Sequence, residues 1–213
     1  ITNKLPANGS IHSLEQDPVN PNLLFAGSEL SFYFSIDGGN EWIEFKSGLP
    51  TAAVRDIVIQ ERETDLVICT FGRGFYILDD YSPLRNFKKE ILEKEAYLFP
   101  VKDAKMFVES EGFDNQGSTY FKAKNPEYGA TIYYYVKEVP ETDKAIRQKK
   151  EKELFEKGEK IPQPSYEALQ AEEKEIKPYL IFKITDETNN LVKQNYKSAS
   201  KGVNKDTCNY TYT

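Results

Sequence analysis

Through the first third of the chain, apolar residues fall in short runs, each closed by turn chemistry. Ile11 to Leu14, Leu23 to Gly27, Leu30 to Phe34 and Trp42 to Phe45 are four such runs. Asp17-Pro18-Val19-Asn20-Pro21-Asn22 and Ser35-Ile36-Asp37-Gly38-Gly39-Asn40-Glu41 interrupt them with the residue types that bend a backbone. In the second turn, Gly38 and Gly39 supply conformational freedom, Ser35 and Asp37 carry oxygens able to accept from turn amides, and Trp42 can fold back as an apolar lid. The pattern predicts strands joined by hairpins, the last of them self-locking.

After Gly48-Leu49-Pro50 the pattern restarts. Val54 to Ile59 matches the first run, Asp65 to Phe71 the second and Gly74 to Leu78 the third, with Asp79-Asp80-Tyr81-Ser82-Pro83 at the place of the Ser-Asp-Gly-Gly turn. A period of roughly 40 residues with four strands each predicts β-propeller blades, sheets that need neighbours on both faces. Two blades cannot close a ring of about four to eight, so the chain is expected to be the C-terminal end of a larger propeller protein, its start at Ile1 a cut.

Leu84, Phe87, Ile91 and Leu92 then recur at helical spacing within Ser82 to Glu95, which predicts a short amphipathic helix. Tyr97 to Val101 and Lys105 to Glu109 read as extended, and the Gly- and Asn-containing stretch Glu111 to Ser118 as a boundary loop. Thr119 to Ala123 and Ala130 to Lys137 read as strands, the second alternating Ala130, Ile132, Tyr134 and Val136 against Thr131, Tyr133 and Tyr135. Glu141 to Lys160 is dense in charge of both signs, and Ser165 caps a second helical stretch to Glu175, so a solvated helical insertion is expected. Strands return at Tyr179 to Thr185 and Leu191 to Lys193 around the turn Asp186 to Asn190, with a last strand from Gly202 to Tyr210. Together these suit a small antiparallel sandwich.

Composition sharpens this picture mainly by exclusion. Fourteen Tyr and thirteen Phe place the cores on aromatic and β-branched side chains. A net charge of -6 argues against binding a phosphate backbone, so no nucleic-acid partner is expected. No apolar run reaches the ~20 residues of a membrane-spanning helix. Two cysteines, Cys69 and Cys208, give neither a disulfide framework nor a metal cluster, and no metal or other cofactor is expected.

Ser35, Asp37, Gly39 and Trp42 fit the pattern S-x-D-x-G-x-x-W, and the chain thereby resembles the Asp-box, or BNR-repeat, β-propellers of sialidases, xyloglucanases and sortilin-like proteins. Asp17-Pro18 to Asn22, Gly48-Leu49-Pro50-Thr51, Val54-Arg55-Asp56-Ile57 and Thr70 to Asp80 are similar to the last blades of a secreted bacterial group named as glycosyl hydrolases. The resemblance implies an immunoglobulin-like module entered through Asn125 to Ala130 and the Tyr133-Tyr134-Tyr135 run, and an extracellular, periplasmic or envelope location. It departs from the group at Cys69, where a small residue is usual, and at the terminal strand, which lacks a Trp.

The expected fold is mainly β: two four-stranded propeller blades with one Asp box over residues 1–85, a linker over 86–112 with a short helix and extended segments, and an immunoglobulin-like sandwich over 113–213 with a helical insertion at about 141–176. Ser35, Asp37, Gly39 and Trp42 are assigned a structural role in the turn. Arg55, Arg73, Asp79 and Asp80 are candidate cleft residues or loop anchors, Arg73 as an anchor toward carbonyls or Asp56, and no catalytic residue is assigned. Adjacent residues on a strand face opposite sides, which disfavours Asp79 and Asp80 as a cooperating acid pair. His12, the single histidine, has no second histidine, nucleophile elbow or cysteine near it in sequence. The expected function is a non-catalytic scaffold binding protein or glycan, with the sandwich docked on the propeller through Tyr133 to Tyr135. The alternative is a fragment of an Asp-box glycoside hydrolase whose acids lie mostly upstream.

Overall fold

The structure, a computed structural model, describes residue 5, residues 9–108 and residues 124–209. The strand expected over 119–123, the loop over 111–118 and the ends of two extended stretches at Glu109 and Tyr210 lie outside the described residues. The chain divides into two compact units, Ile1–Ile91 and Leu92–Thr213.

In the first unit, β1 (Ile11–Gln16), β2 (Leu24–Ser28), β3 (Phe32–Ser35) and β4 (Ile43–Glu44) form an antiparallel four-stranded sheet in sequence order. β5 (Val54–Gln60), β6 (Asp65–Thr70) and β7 (Gly74–Leu78) form a separate antiparallel sheet of three. Their common core holds Leu23, Phe25, Phe32, Val54, Ile57, Leu66, Ile68 and Tyr81, all buried. β5 lies against the first sheet: a Cβ on Gly27 of β2 would stand 2.8 Å from the Val54 carbonyl oxygen and collide with the Ser13 hydroxyl.

The expected second four-stranded blade does not form. After β7 the backbone reaches Asp80 in a left-handed conformation (φ 50°), and the chain enters helix α1 (Ser82–Asn86) instead of a fourth strand. Pro83 decides this locally, because it lacks the N–H a ladder needs and its fixed φ suits the first helical turn. The helix expected from Ser82 to Glu95 stops at Phe87, whose backbone is extended, and resumes as a 3-10 turn over Lys89–Glu93.

In the second unit, β8 (Ala96–Leu98), β9 (Ala130–Val136) and β12 (Gly202–Cys208) form a sheet ordered β12-β9-β8, and β10 (Tyr179–Thr185) pairs with β11 (Leu191–Ser198) and, among the described residues, with no other strand. A small cluster of Ile132, Tyr134, Val136 and Cys208 is joined by Leu180, Phe182 and Ile184, with Tyr134 and Phe182 edge to face at 5.0 Å. Helices α2 (Asp143–Glu156) and α3 (Tyr166–Lys174) begin at Thr142 and Ser165, whose hydroxyls accept from the Ala145 and Ala168 amides. Arg147 ties them together, donating to both carboxylate oxygens of Glu172 at 2.6 and 2.8 Å.

The described residues therefore make a mainly β chain of four separate, unclosed sheets of four, three, three and two strands with three α-helices. This replaces the expected propeller blades and immunoglobulin-like sandwich. Among the described residues no sheet closes on another, and the five strands of the second unit described there do not make up the about seven of an immunoglobulin sandwich.

Candidate functional site

The turn after β3 is held by its own side chains. Ser35, fully buried, accepts from the Gly39 amide at 2.9 Å and donates to Asp37 Oδ1 at 2.9 Å, and the same carboxylate oxygen accepts from the Glu41 amide at 2.8 Å. Gly38 and Gly39 both take positive φ, 72° and 88°. The Glu41 amide, joined by the Ser35 hydroxyl and the Lys89 charge, holds the Asp37 carboxyl below its usual range against the opposing effect of burial. Trp42 is half-buried beside this loop in the sequence. An oxygen engaged by two donors of its own loop is a fastening group.

The remaining candidates do not converge. Arg55 lays its guanidinium 5.3 Å from the Phe71 ring centroid and brings Nη1 to 3.4 Å from Nδ1 of His12. The Asp80 carboxylate accepts from the Ser82 amide at 3.3 Å and its backbone amide donates to Asp65 Oδ1 at 2.9 Å, which closes the turn into α1. Arg73 and Asp79 are exposed at the two ends of β7, and neither makes a hydrogen bond or ion pair among the described residues. Cys69 and Cys208 are free thiols. The described residues contain no group of three or more His, Cys, Asp or Glu able to hold a metal, and no helix among them is long and apolar enough to cross a membrane.

One buried polar cluster was absent from the candidate residues. Asp17, in the turn between β1 and β2, accepts from the Tyr81 hydroxyl at 2.6 Å, from Arg85 Nε at 2.8 and 3.0 Å and from the Val19 and Asn20 amides at 3.0 and 2.7 Å. Burial alone would raise this carboxyl; the bonds from Tyr81, Asn20, Arg85 and Val19 outweigh it and hold it low. Burial first, then Asp17, push the Tyr81 hydroxyl up. Every oxygen is engaged, so the cluster clamps α1 to the first sheet and leaves nothing for a substrate. The sequence signal was Asp17-Pro18, a turn acid whose partners lie more than sixty residues on.

The exposed surface of the three-stranded sheet is different in kind. Register sets Val58 beside Val67 beside Ile77, and Cys69 beside Phe75, on the face away from the core. Val58 is 52% exposed, Ile77 62%, Phe71 71% and Phe75 73%. The opposite face, Ile57, Leu66 and Ile68, is at most 1% exposed. One edge of this apolar sheet is β7, which pairs with β6 and with no other strand among the described residues. Natural edge strands are blunted by short length, lysine, proline or bulges, yet Gly74-Phe75-Tyr76-Ile77-Leu78 has five residues, no charge and no proline. The other sheet of the unit does end in a blunted edge, the two-residue β4 flanked by the Glu44–Lys46 ion pair.

No family model, curated protein or solved structure matches the chain. With the open sheets, this removes the Asp-box, BNR-repeat and sortilin-like assignment carried by Ser35, Asp37, Gly39 and Trp42. The propeller-borne scaffold and the Asp-box glycoside hydrolase both fall with it, since the sheets of four and three strands in the first unit are separate open sheets and not propeller blades. Two rings of the Tyr133 to Tyr135 run have partners within their own unit. Tyr134 and Tyr135 are each 8% exposed, and their partners, the Phe182 ring and the Leu92 carbonyl, lie inside their own unit.

Proposed function

We propose that the chain is a protein-interaction module that takes up an extended segment along β7. The observation that supports it is the combination of an unprotected edge strand with an exposed apolar face, Val58, Phe71, Phe75 and Ile77, continuous with it. An added strand satisfies the outward amides and carbonyls of β7 while alternate side chains settle beside Phe75 and Ile77. Main-chain bonding gives affinity with modest sequence demand, and the apolar row supplies the preference for β-branched or aromatic positions.

The test uses a fluorescein-labelled peptide of alternating threonine and valine and reads fluorescence anisotropy. Binding to the unaltered protein, weakened about tenfold or more by Ile77→Lys, is the expected result, because a charge on the edge face opposes strand addition. Equal binding by both proteins, or none by either as a monomer, contradicts the proposal.

A further inference from the structure

The partner that β7 fits best is another β7. We infer that two copies of this chain pair antiparallel along Gly74–Leu78, about a two-fold axis through Tyr76. This rests on the reading of β7 as a strand-accepting edge and names its occupant.

The palindrome of chemistry around Tyr76 carries the inference. In an antiparallel pair centred on Tyr76, Phe75 stands opposite Ile77 of the second copy and Ile77 opposite its Phe75. Directly opposite residues point to the same face, so these two aromatic-to-β-branched pairs lie together on the exposed apolar side. One step further out, Arg73 stands opposite Asp79 of the second copy, and Asp79 opposite its Arg73. The apolar pairs are thus bracketed at both ends by opposite charges.

Both charged groups are exposed and lack an ionic partner among the described residues, although other charged side chains of the unit, such as Lys46, Lys89 and Arg85, are paired. On the core side, Gly74 meets Leu78 of the second copy; a Cβ on Gly74 would meet nothing within 4 Å, so that flank is open. The opposite edge strand of the sheet, β5, packs against the first sheet, its Val54 carbonyl close to Gly27, whereas β7 pairs with β6 alone among the described residues. A two-fold pairing uses it up in both copies and closes.

Sedimentation of the whole chain tests this with Arg73→Asp and Asp79→Arg. Each swap places like charges at both ends of the homodimer, whereas mixing the two variants restores opposite charges at both ends. The unaltered protein is expected at twice the chain mass, each variant alone at the chain mass, and the equimolar mixture again at twice that mass. Far-UV circular dichroism checks that the variants stay folded, and both sites are exposed. A monomeric unaltered protein, swaps without effect, a mixture that stays monomeric, or growth into open-ended assemblies each overturns the inference. The threonine and valine peptide separates the two levels. A monomer that binds it in an Ile77-dependent way refutes self-pairing alone, and one that does not refutes the edge as well.

Discussion

At the scale of single residues, the first unit depends on acids that have been taken out of solvent and fully bonded. Asp17 shows this most directly, with a side chain that has no solvent exposure and an Arg85 partner at 17%. Removing one member of such a pair leaves an uncompensated buried charge, so Asp17→Ala is expected to cost about 3–5 kcal/mol in denaturant unfolding. Tyr81→Phe, which removes one donor, is expected to cost about 1–3 kcal/mol. The folded-state carboxyls of Asp17 and Asp37 lie below their ordinary value of 3.8. Their contribution is therefore complete above that value and is lost as pH falls through the lower folded-state values. The unfolding temperature of the unaltered protein should drop as pH is lowered below about 4, and Asp17→Asn should flatten that drop. Ser35 and Asp37 were legible in the sequence because a turn bonds its own neighbours. The Asp17 partners were not, because Tyr81 and Arg85 are brought to it only by the packing of α1.

At the scale of elements, alternation and turn residues located most strands, and single residues decided how the strands were used. Leu23 to Gly27 and Asp65 to Phe71 carry unbroken or alternating apolar side chains, and they are β2 and β6 at the centres of their sheets. Pro83 is the counterexample: a repeat read by period alone continues into a fourth strand, whereas a proline there commits the backbone to a helix. Phe75 and Ile77 look like core residues in sequence, and only the sheet order reveals that their face is uncovered. The contact between β5 and β2 makes a further prediction. Gly27→Ala forces a methyl against the Val54 carbonyl and the Ser13 hydroxyl, so it should destabilise the first unit by about 1–3 kcal/mol, read by thermal unfolding. Gly72→Ala, where a Cβ meets nothing within 4 Å but φ is 72°, should cost less, since only backbone strain opposes it.

At the scale of the whole molecule, four open sheets leave more strand edges than a closed architecture would, and the chain treats them unequally. β4 is cut to two residues and β8 to three with Pro100 shortly after it, while the longer edge strands β1, β5, β10, β11 and β12 each carry charged side chains. β7 keeps five apolar positions beside an exposed apolar face. An edge left open while its counterparts are blunted is the central support for an interaction role, and it was hidden from the sequence because an uncovered strand and a covered one have the same alternation.

Amide hydrogen exchange resolved along the chain tests that role most directly, measured on the Arg73→Asp variant, whose β7 is expected to be unoccupied by a second copy, with and without an excess of the threonine and valine peptide. Slowed exchange within Gly74–Leu78, confined to that strand, is the result expected of strand addition at this edge. Exchange in β7 that is unchanged while the peptide protects another strand, or no strand, would contradict it.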